Sequence, residues 1–302
     1  MGTEKFKIAA GYVLICLIWG STWLAIRLGL GSLTPLISSG LRFFLASFFV
    51  FGLMRIKKIM LQTDSVSIKL YIITSLFSFV IPFALVYWAE QFIPSGLASI
   101  VFAVMPFCVI VFSKVAFPKD IISFNQILGV ILGFSGIVVI FSEQLSLDLS
   151  QQLFGILAVL VSSSMQGAIG VTIKKYGQHL NPLSMHFVPL FFAGLILISS
   201  SFLFENSSTW NFNLTSISSI IYLALFGTVV TFTTYYWLLK RMNIVILSLS
   251  AFITPIVAVI LGWIILNENF SLQTLIGSTF VLIGILFANF RGLKNYIISR
   301  KI

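Results

Sequence analysis

The chain has 302 residues, of which 59% are hydrophobic and 9% are charged, and its mean hydropathy is +1.09. Roughly a quarter of the residues of a soluble domain are charged, so this composition excludes a soluble protein and indicates that the lipid bilayer surrounds most of the chain. The net charge of +10 does not indicate a nucleic-acid partner, because the basic residues follow a membrane topology.

Ten apolar runs are long enough to cross a bilayer as helices, which takes about 20 mostly apolar residues. The first run follows Lys5 and Lys7 and has no signal-peptide cleavage site, so we expect it to be retained as helix 1. The sequence predicts an all-α polytopic membrane protein with ten transmembrane helices. The runs are 8–29, 35–54, 69–89, 95–116, 122–141, 152–173, 182–203, 214–238, 243–266 and 272–290.

The positions of the basic residues predict the orientation of these helices. With the N-terminus in the cytoplasm, sixteen of the eighteen Lys and Arg fall in inner segments and none in outer loops. This is the distribution of the positive-inside rule. We therefore expect a multi-pass protein of a bacterial inner or plasma membrane with both termini cytoplasmic.

One motif occurs twice in the chain. Tyr87-Trp88 and Pro106 recur 149 residues later as Tyr236-Trp237 and Pro255. Such a period indicates two homologous halves, which we place at 9–141 and 152–290. Five helices in each half is an odd number, so the second half enters the membrane in the opposite direction. Inverted repeats of this kind are typical of secondary transporters.

The two remaining basic residues, Arg27 and Arg42, lie inside predicted helices 1 and 2. Arg27 is close enough to the outer end to extend to the lipid headgroups. Arg42 lies seven residues into helix 2, about 10 Å below its outer end at 1.5 Å per residue, and a charge at such a depth usually has a functional role. Glu90 or Glu268, at the ends of helices 3 and 9, could form a gate-like ion pair with it.

Several aromatic residues are candidates for a substrate cavity or a gate. Trp19 lies in the middle of helix 1 beside Gly20, so it either packs against neighbouring helices or stacks on a ligand. The paired Tyr-Trp residues could equally form interfacial aromatic belts without a further role. The aromatic candidates are Trp19, Tyr87, Trp88, Tyr235, Tyr236 and Trp237.

The prolines of the repeat predict paired bends in helices 4 and 9. Pro106 and Pro255 each free a backbone carbonyl within a predicted span, and freed backbone in a membrane requires protein or a wet cavity around it. These bends predict a central cavity, although curvature for packing is the alternative. Gln166 in helix 6 could bind a substrate or hold helices together.

The motifs that the sequence lacks reduce the number of functions that we expect. The sequence has no nucleotide-binding loop, no H-E-x-x-H motif and no Cys/His cluster, so we expect no ATP-driven transport, cofactor or metal. No Asp or Glu lies deep in a predicted span, so no carboxylate for a proton relay is evident. A lipid-modifying enzyme would need clustered Asp, Glu or His at one face, which makes an enzyme a remote alternative.

Several segments together resemble the EamA-type repeat of the drug/metabolite transporter superfamily. They are the stretch Ile18-Trp19-Gly20-Ser21-Thr22-Trp23, Pro35 to Arg42, the two Tyr-x(18)-Pro patterns, Leu266-Asn267-Glu268, Leu275-Ile276-Gly277 and Gly284. The resemblance covers both halves, but the second half has Ser163-Ser164 where the repeat has Trp-Gly, and Pro118-Lys119-Asp120 follows helix 4 where an acid is frequent.

The resemblance implies a permease with a central cavity between the first four helices of each repeat and with helices 5 and 10 at the periphery. It assigns Trp19, Arg42, Tyr87, Trp88 and Pro106 to the first-half cavity or gate, and Tyr235, Tyr236, Trp237 and Pro255 to the second half. The expected function is a secondary transporter, and an exporter, of small metabolites such as amino acids. The alternative is an exchanger of phosphorylated or other anionic metabolites that uses Arg27 and Arg42, since Arg recognises phosphate well. The expected partners are a small-molecule substrate and the bilayer, and the sequence leaves monomer and homodimer open.

Overall fold

The computed structural model describes residues 2–119, 123–146, 150–239, 241, 247 and 250–298. Within these ranges the chain forms ten long helices and no strand, which confirms the predicted all-α class. The helices are α1 Gly2–Leu30, α2 Pro35–Ile56, α3 Ser65–Ala89, α4 Ser95–Ala116, α5 Phe124–Ser146, α6 Ser150–Tyr176, α7 Pro182–Phe204, α8 214–239, α9 Ser250–Leu266 and α10 Leu272–Ile298.

The helices differ in the length of their apolar part. Seven of them, α1–α4 and α6–α8, are long and apolar enough to cross a membrane. The described apolar stretches of the other three are shorter, at Phe124–Ile140, Ile253–Leu266 and Leu272–Ala288. Large apolar side chains remain exposed along the outside of the bundle, among them Phe48, Phe192 and Trp263. Such a surface requires lipid as its solvent.

Polar residues fix where several helices begin. The side chain of Asp64 accepts hydrogen bonds from the backbone N–H groups of Val66 and Ser67 at the start of α3. Asn181 and Asn213 cap α7 and α8 in the same way. Each cap supplies an acceptor for N–H groups that have no partner within the helix, so the helix ends are set by residues at the membrane boundary.

The helices pair in the pattern that an inverted repeat requires. If α1–α5 correspond to α6–α10, the packing of α1 on α9 matches that of α6 on α4, and the packing of α3 on α6 matches that of α8 on α1. The pairs α2–α7 and α5–α10 each correspond to themselves. The two halves are therefore interleaved, and every major contact between them has a counterpart.

Helices α5 and α10 show this symmetry at single residues. A Cβ atom added to Gly129 would lie 2.6 Å from the carbonyl oxygen of Gly284, and one added to Gly284 would lie 2.6 Å from that of Gly129. Gly136 and Gly277 approach each other in the same reciprocal way. The two backbones are in direct contact at both places, as at small-residue interfaces of membrane helices.

Candidate functional site

Arg42 of α2 is buried inside the bundle, with only 5% of its surface exposed. Its Nη1 donates a hydrogen bond to the hydroxyl of Tyr87 over 3.3 Å, and its guanidinium carbon lies 5.3 Å and 5.2 Å from the ring centroids of Phe43 and Phe83. Its Nε–H has no hydrogen-bond partner. An aromatic lining stabilises the charge but leaves donors of the guanidinium free to bind an acceptor.

Two segments of π-helix lie at equivalent positions of the two repeats, and the second of them borders this arginine. They span Ser75–Val80 in α3 and Leu225–Val230 in α8, 150 residues apart. A Cβ atom added to Gly227 would lie 3.6 Å from Nη2 of Arg42, so the second segment reaches the guanidinium. The side chains of Thr74 and Ser75, where the first segment begins, are buried without a hydrogen-bond partner. Segments of π-helix are frequent at functional sites.

Glu90, directly after the last residue of α3, is also completely buried. Neither of its carboxyl oxygens has a hydrogen-bond partner. Its neighbour Trp88 points the other way, is 39% exposed and packs edge-on against Phe92. The Tyr87-Trp88 pair therefore presents the tyrosine to the interior and the tryptophan to the outside of the bundle.

The loop after α9 places the carboxylate of Glu268 against the start of α4. Asn267 has a φ of +52°, a left-handed conformation that Asn tolerates and that commonly ends a helix. Glu268 Oε1 then accepts hydrogen bonds from the backbone N–H and the hydroxyl of Ser95, both over 2.7 Å, and Oε2 accepts from the N–H of Gly96 over 3.1 Å. Gly262 leaves the space that the Glu268 carboxylate needs, because a Cβ atom at position 262 would lie 2.9 Å from the carboxyl carbon of Glu268.

Glu205, which follows α7, holds the start of α2 in the same manner. It accepts hydrogen bonds from the Thr34 hydroxyl over 2.6 Å and from the N–H groups of Leu36 and Ile37 over 2.7 and 3.1 Å. Carboxylates at helix N-termini are favoured both by the unpaired N–H groups and by the helix dipole. Two acids of the second repeat thus close the face that the charge pattern predicts to be outer.

The ion pairs predicted from the sequence are not formed in this structure. In the described part of the chain, no carboxylate oxygen of Glu90 or Glu268 lies within 4.0 Å of Arg27 or Arg42. The reason for Glu268 is that both of its oxygens bind the first turn of α4. Arg27, in the last turn of α1, is partly exposed, and its charge acts on Glu90 from a distance, as does that of Arg42.

The structure brings some aromatic candidates together. Trp19 packs against Tyr235, with ring centroids 5.6 Å apart, and edge-on against Phe232. Trp237 lies at the predicted inner end of α8, where the guanidinium of Arg241 stacks on its ring at 4.6 Å. For Tyr236 the structure describes only the helical backbone. The second Tyr-Trp pair thus lies at the predicted inner end of α8, and Trp19 contacts α8 at residues that precede this pair.

The two prolines of the repeat have different surroundings. Pro106 begins the second segment of α4, Met105–Ala116, after a break at Ala103 and Val104. Pro255 lies inside α9 without a break. The helix is therefore interrupted directly before the Pro106 segment, whereas Pro255 sits in a continuous helix. The proposed cavity beside the two prolines stays a prediction.

Gln166 connects α6 to the first π-helical segment, because the hydroxyl of Ser78 donates to its Oε1 over 2.9 Å. A cavity of about 20 Å³ lies near the second segment, lined by Val50, Pro182, Leu183, His186, Thr228, Val229, Phe232 and Thr233. This volume corresponds to roughly one water molecule. The cavity marks the place where α2, α7 and α8 meet.

The profile of the EamA-like transporter family matches the chain twice, over residues 7–142 and 153–290. The chain belongs to the EamA-like transporter family. The profile covers nearly the whole chain, and the match in two copies agrees with the duplicated motif and with the paired helix contacts.

Two of the following three relatives of this EamA-like chain are named as transporters. An uncharacterized transporter of Bacillus subtilis, YoaV, is 29% identical over 94% of the chain and 97% of its own length. Protein PagO of Salmonella typhimurium is 28% identical over 85% of the chain and 84% of its own length. An uncharacterized inner membrane transporter of Escherichia coli, YedA, is 28% identical over 82% of the chain and 78% of its own length. A solved crystal structure with 16% identity superimposes with a TM-score of 0.66 over 93% of this chain and 96% of its own, which supports the fold.

This EamA-like protein is a multi-pass membrane transporter, and its architecture is that of two inverted repeats. Sequence reasoning named Arg42, Tyr87 and Trp19, whose role in a site stays a prediction, and it missed the π-helical segments, the burial of Glu90 and the capping roles of Glu205 and Glu268. Leu266-Asn267-Glu268 carried a signal for the last of these, because an Asn that ends a helix turns the next side chain back towards the bundle.

Proposed function

We propose that the protein is a secondary transporter that exports small metabolites such as amino acids by alternating access around a site near the middle of the membrane. The observation that carries the proposal is the environment of Arg42. A buried guanidinium with an unpaired Nε–H contacts Tyr87 and Phe83 of the first repeat and lies beside Gly227 in the π-helical segment of the second repeat. A group that contacts both repeats senses their relative movement, which is what transport by rocking repeats requires.

The hydrogen bonds of the two faces support an order of events. At the predicted outer face, Glu205 and Glu268 bind helix N-termini of the first repeat through charge-assisted bonds of 2.6–3.1 Å. At the inner face, the corresponding contact between α2 and α7 uses the neutral side chain of Gln62, 3.4 Å from the N–H of Asn181. Among the described residues, this inner contact is weaker than its outer counterpart, and the other inner contact, 3.8 Å between Asp64 and His179, is exposed to solvent and therefore weak as well. We infer that the inner face opens first to take up a cytoplasmic substrate.

The carboxylate of an amino acid is a suitable ligand for Arg42, because charge-assisted bonds to guanidinium are strong and directional. The test is counterflow into proteoliposomes that hold the purified protein and a mixture of unlabelled neutral amino acids. Accumulation of labelled amino acids that Arg42→Gln abolishes supports the proposal. Export is tested by overexpression in cells, where increased tolerance of toxic amino-acid analogues is the expected result. Equal accumulation in liposomes without protein would contradict it.

The same arginine favours a second function, the exchange of phosphorylated or other anionic metabolites. The free Nε–H and the nearby charge of Arg27 suit a phosphate group as well as a carboxylate. Competition decides between the two functions. Inhibition of counterflow by phosphate esters and not by neutral amino acids would favour the exchanger, and the reverse would favour the amino-acid exporter.

A further inference from the structure

Glu90 has surroundings that an ionised carboxylate does not tolerate. It is fully buried, both of its oxygens lack hydrogen-bond donors, and in the described part of the chain no cation lies within 4.0 Å of them. Taking an unpaired charge out of water costs so much free energy that buried groups usually neutralise instead. A carboxyl group in this position is therefore stable only with a proton bound.

The charged groups around Glu90 come from three other elements. Arg27 of α1 and Arg42 of α2 attract a negative charge there, and Glu268, between α9 and α10, repels it. The hydroxyl of Tyr87, one turn earlier in α3, accepts a hydrogen bond from Arg42. Burial raises the pKa of the Glu90 carboxyl well above its usual range, Glu268 adds to this effect, and the two arginines oppose it. Glu90 lies one residue beyond the membrane span Ser65–Ala89.

The position of Glu90 connects it to the contacts that close the outer face. Five residues further along the chain, Ser95 and Gly96 bind Glu268. When these bonds open, the start of α4 separates from the loop after α9, and water can reach the segment around Glu90. Glu268, the nearby negative charge, moves away in the same step. Opening thus changes both factors that keep Glu90 neutral, its burial and its acidic neighbour.

We propose that Glu90 is a proton-binding site through which the protein couples its transport to proton movement, an inference that rests on the proposed transport function. In the outer-closed state the carboxyl group carries a proton on one oxygen. On exposure to water the O–H bond breaks, the proton passes to water, and the carboxylate is stabilised by solvent, Arg27 and Arg42. Reprotonation from water reverses the step before the segment closes again, so one proton is taken up for each one released.

The proton itself is the first probe, which makes the test independent of the substrate. Infrared difference spectra of the purified protein are recorded between neutral and alkaline pH, with Glu90→Gln as the variant. We expect the wild type to show the C=O stretching band of a protonated carboxyl group, which disappears at alkaline pH and is missing in Glu90→Gln. The matched control is Glu205→Gln, which should keep the band because Glu205 accepts three hydrogen bonds as a carboxylate. If the wild type and Glu90→Gln give the same spectra, the proton-binding site is refuted.

Coupling is tested by counterflow of labelled neutral amino acids at several pH values. We expect the wild-type rate to vary at least tenfold with pH and the rate of Glu90→Gln, which imitates the protonated form, to vary less than twofold. Equal pH dependence of both proteins would overturn the coupling. Absence of counterflow in both would overturn the proposed function instead, while the infrared result would still decide whether Glu90 binds a proton. Thermal unfolding of each variant in detergent verifies that it folds.

Discussion

Glu268 and Ser95 are 173 positions apart in sequence, yet one carboxylate oxygen accepts both the backbone N–H and the hydroxyl of that serine over 2.7 Å. The contact joins the end of α9 in the second repeat to the first turn of α4 in the first repeat. It therefore belongs to the interface that has to separate when the predicted outer face opens.

Replacement of Glu268 by Gln should loosen the start of α4. The amide keeps the shape of the side chain but loses the charge, which we expect to cost about 1 kcal/mol. Hydrogen exchange of the Ser95 and Gly96 amides should then accelerate by about fivefold. Gly262→Ala should act in the same direction, because its Cβ would lie 2.9 Å from the Glu268 carboxyl carbon. Glu4→Gln, at an exposed position of α1, is the control, and unchanged exchange in both test variants would exclude the capping role.

Replacement of Arg42 by Lys should reduce counterflow at least tenfold. Lysine keeps the positive charge but cannot reproduce the planar guanidinium that stacks between Phe43 and Phe83 and reaches Tyr87. The matched control is Arg55→Lys, at the exposed C-terminal end of the same helix, which should keep wild-type rates. A transport rate of Arg42→Lys equal to that of Arg55→Lys would show that only the charge at position 42 matters.

Leucine in place of Gly277 should destabilise the protein by about 1–3 kcal/mol or more, because the added atoms overpack the contact between α5 and α10. A Cβ at this position would already lie 2.7 Å from the carbonyl oxygen of Gly136. Gly170→Leu in α6 is the control, since nothing lies within 4 Å of a Cβ there. The Tm in detergent should fall for the first variant only, and a similar Tm for both would argue against direct backbone contact.

The start of α3 should contribute to stability in a pH-dependent way. Hydrogen bonds from Ser67, and also the nearby His179, lower the pKa of Asp64. A lowered pKa stabilises the fold above the pKa of the unfolded chain, about 4, and this contribution is lost as the pH falls through the folded value. The Tm difference between wild type and Asp64→Ala should therefore shrink below about pH 4. A difference that is constant from pH 3 to pH 7 would contradict this.

The helices, the duplication and its inversion could be predicted from the sequence. The reason is that apolar length, the spacing of Tyr-Trp and proline, and the placement of Lys and Arg can be recognised without knowing how the segments pack. Arg42 was also predictable, because a guanidinium that lies too deep in an apolar run to reach the headgroups needs partners inside the bundle. Each of these features follows from the need of a single segment to match the bilayer, and it does not depend on how distant segments pack together.

Other features depend on the packing of distant segments. In the sequence, Glu90 lies at the end of a predicted helix, where an acidic residue is expected to face the water at the membrane boundary. Only the assembled bundle excludes water from it. The partners of Glu268 lie 173 residues away in sequence, so no local pattern names them. The extra residue of each π-helical turn is stabilised by the surrounding helices, and neither Ser75–Val80 nor Leu225–Val230 differs in composition from the α-helix around it.

The difference between the two faces also has a kinetic consequence. If Glu205 and Glu268 hold the outer face more strongly than Gln62 holds the inner one, the empty protein spends most of its time open to the cytoplasm. Loading from the cytoplasm would then need no prior rearrangement, whereas a molecule arriving from outside would have to wait for rare openings. Such a carrier would have a lower half-saturating concentration for efflux than for influx, while the net flux at equal concentrations on the two sides would remain zero unless a second gradient drives it.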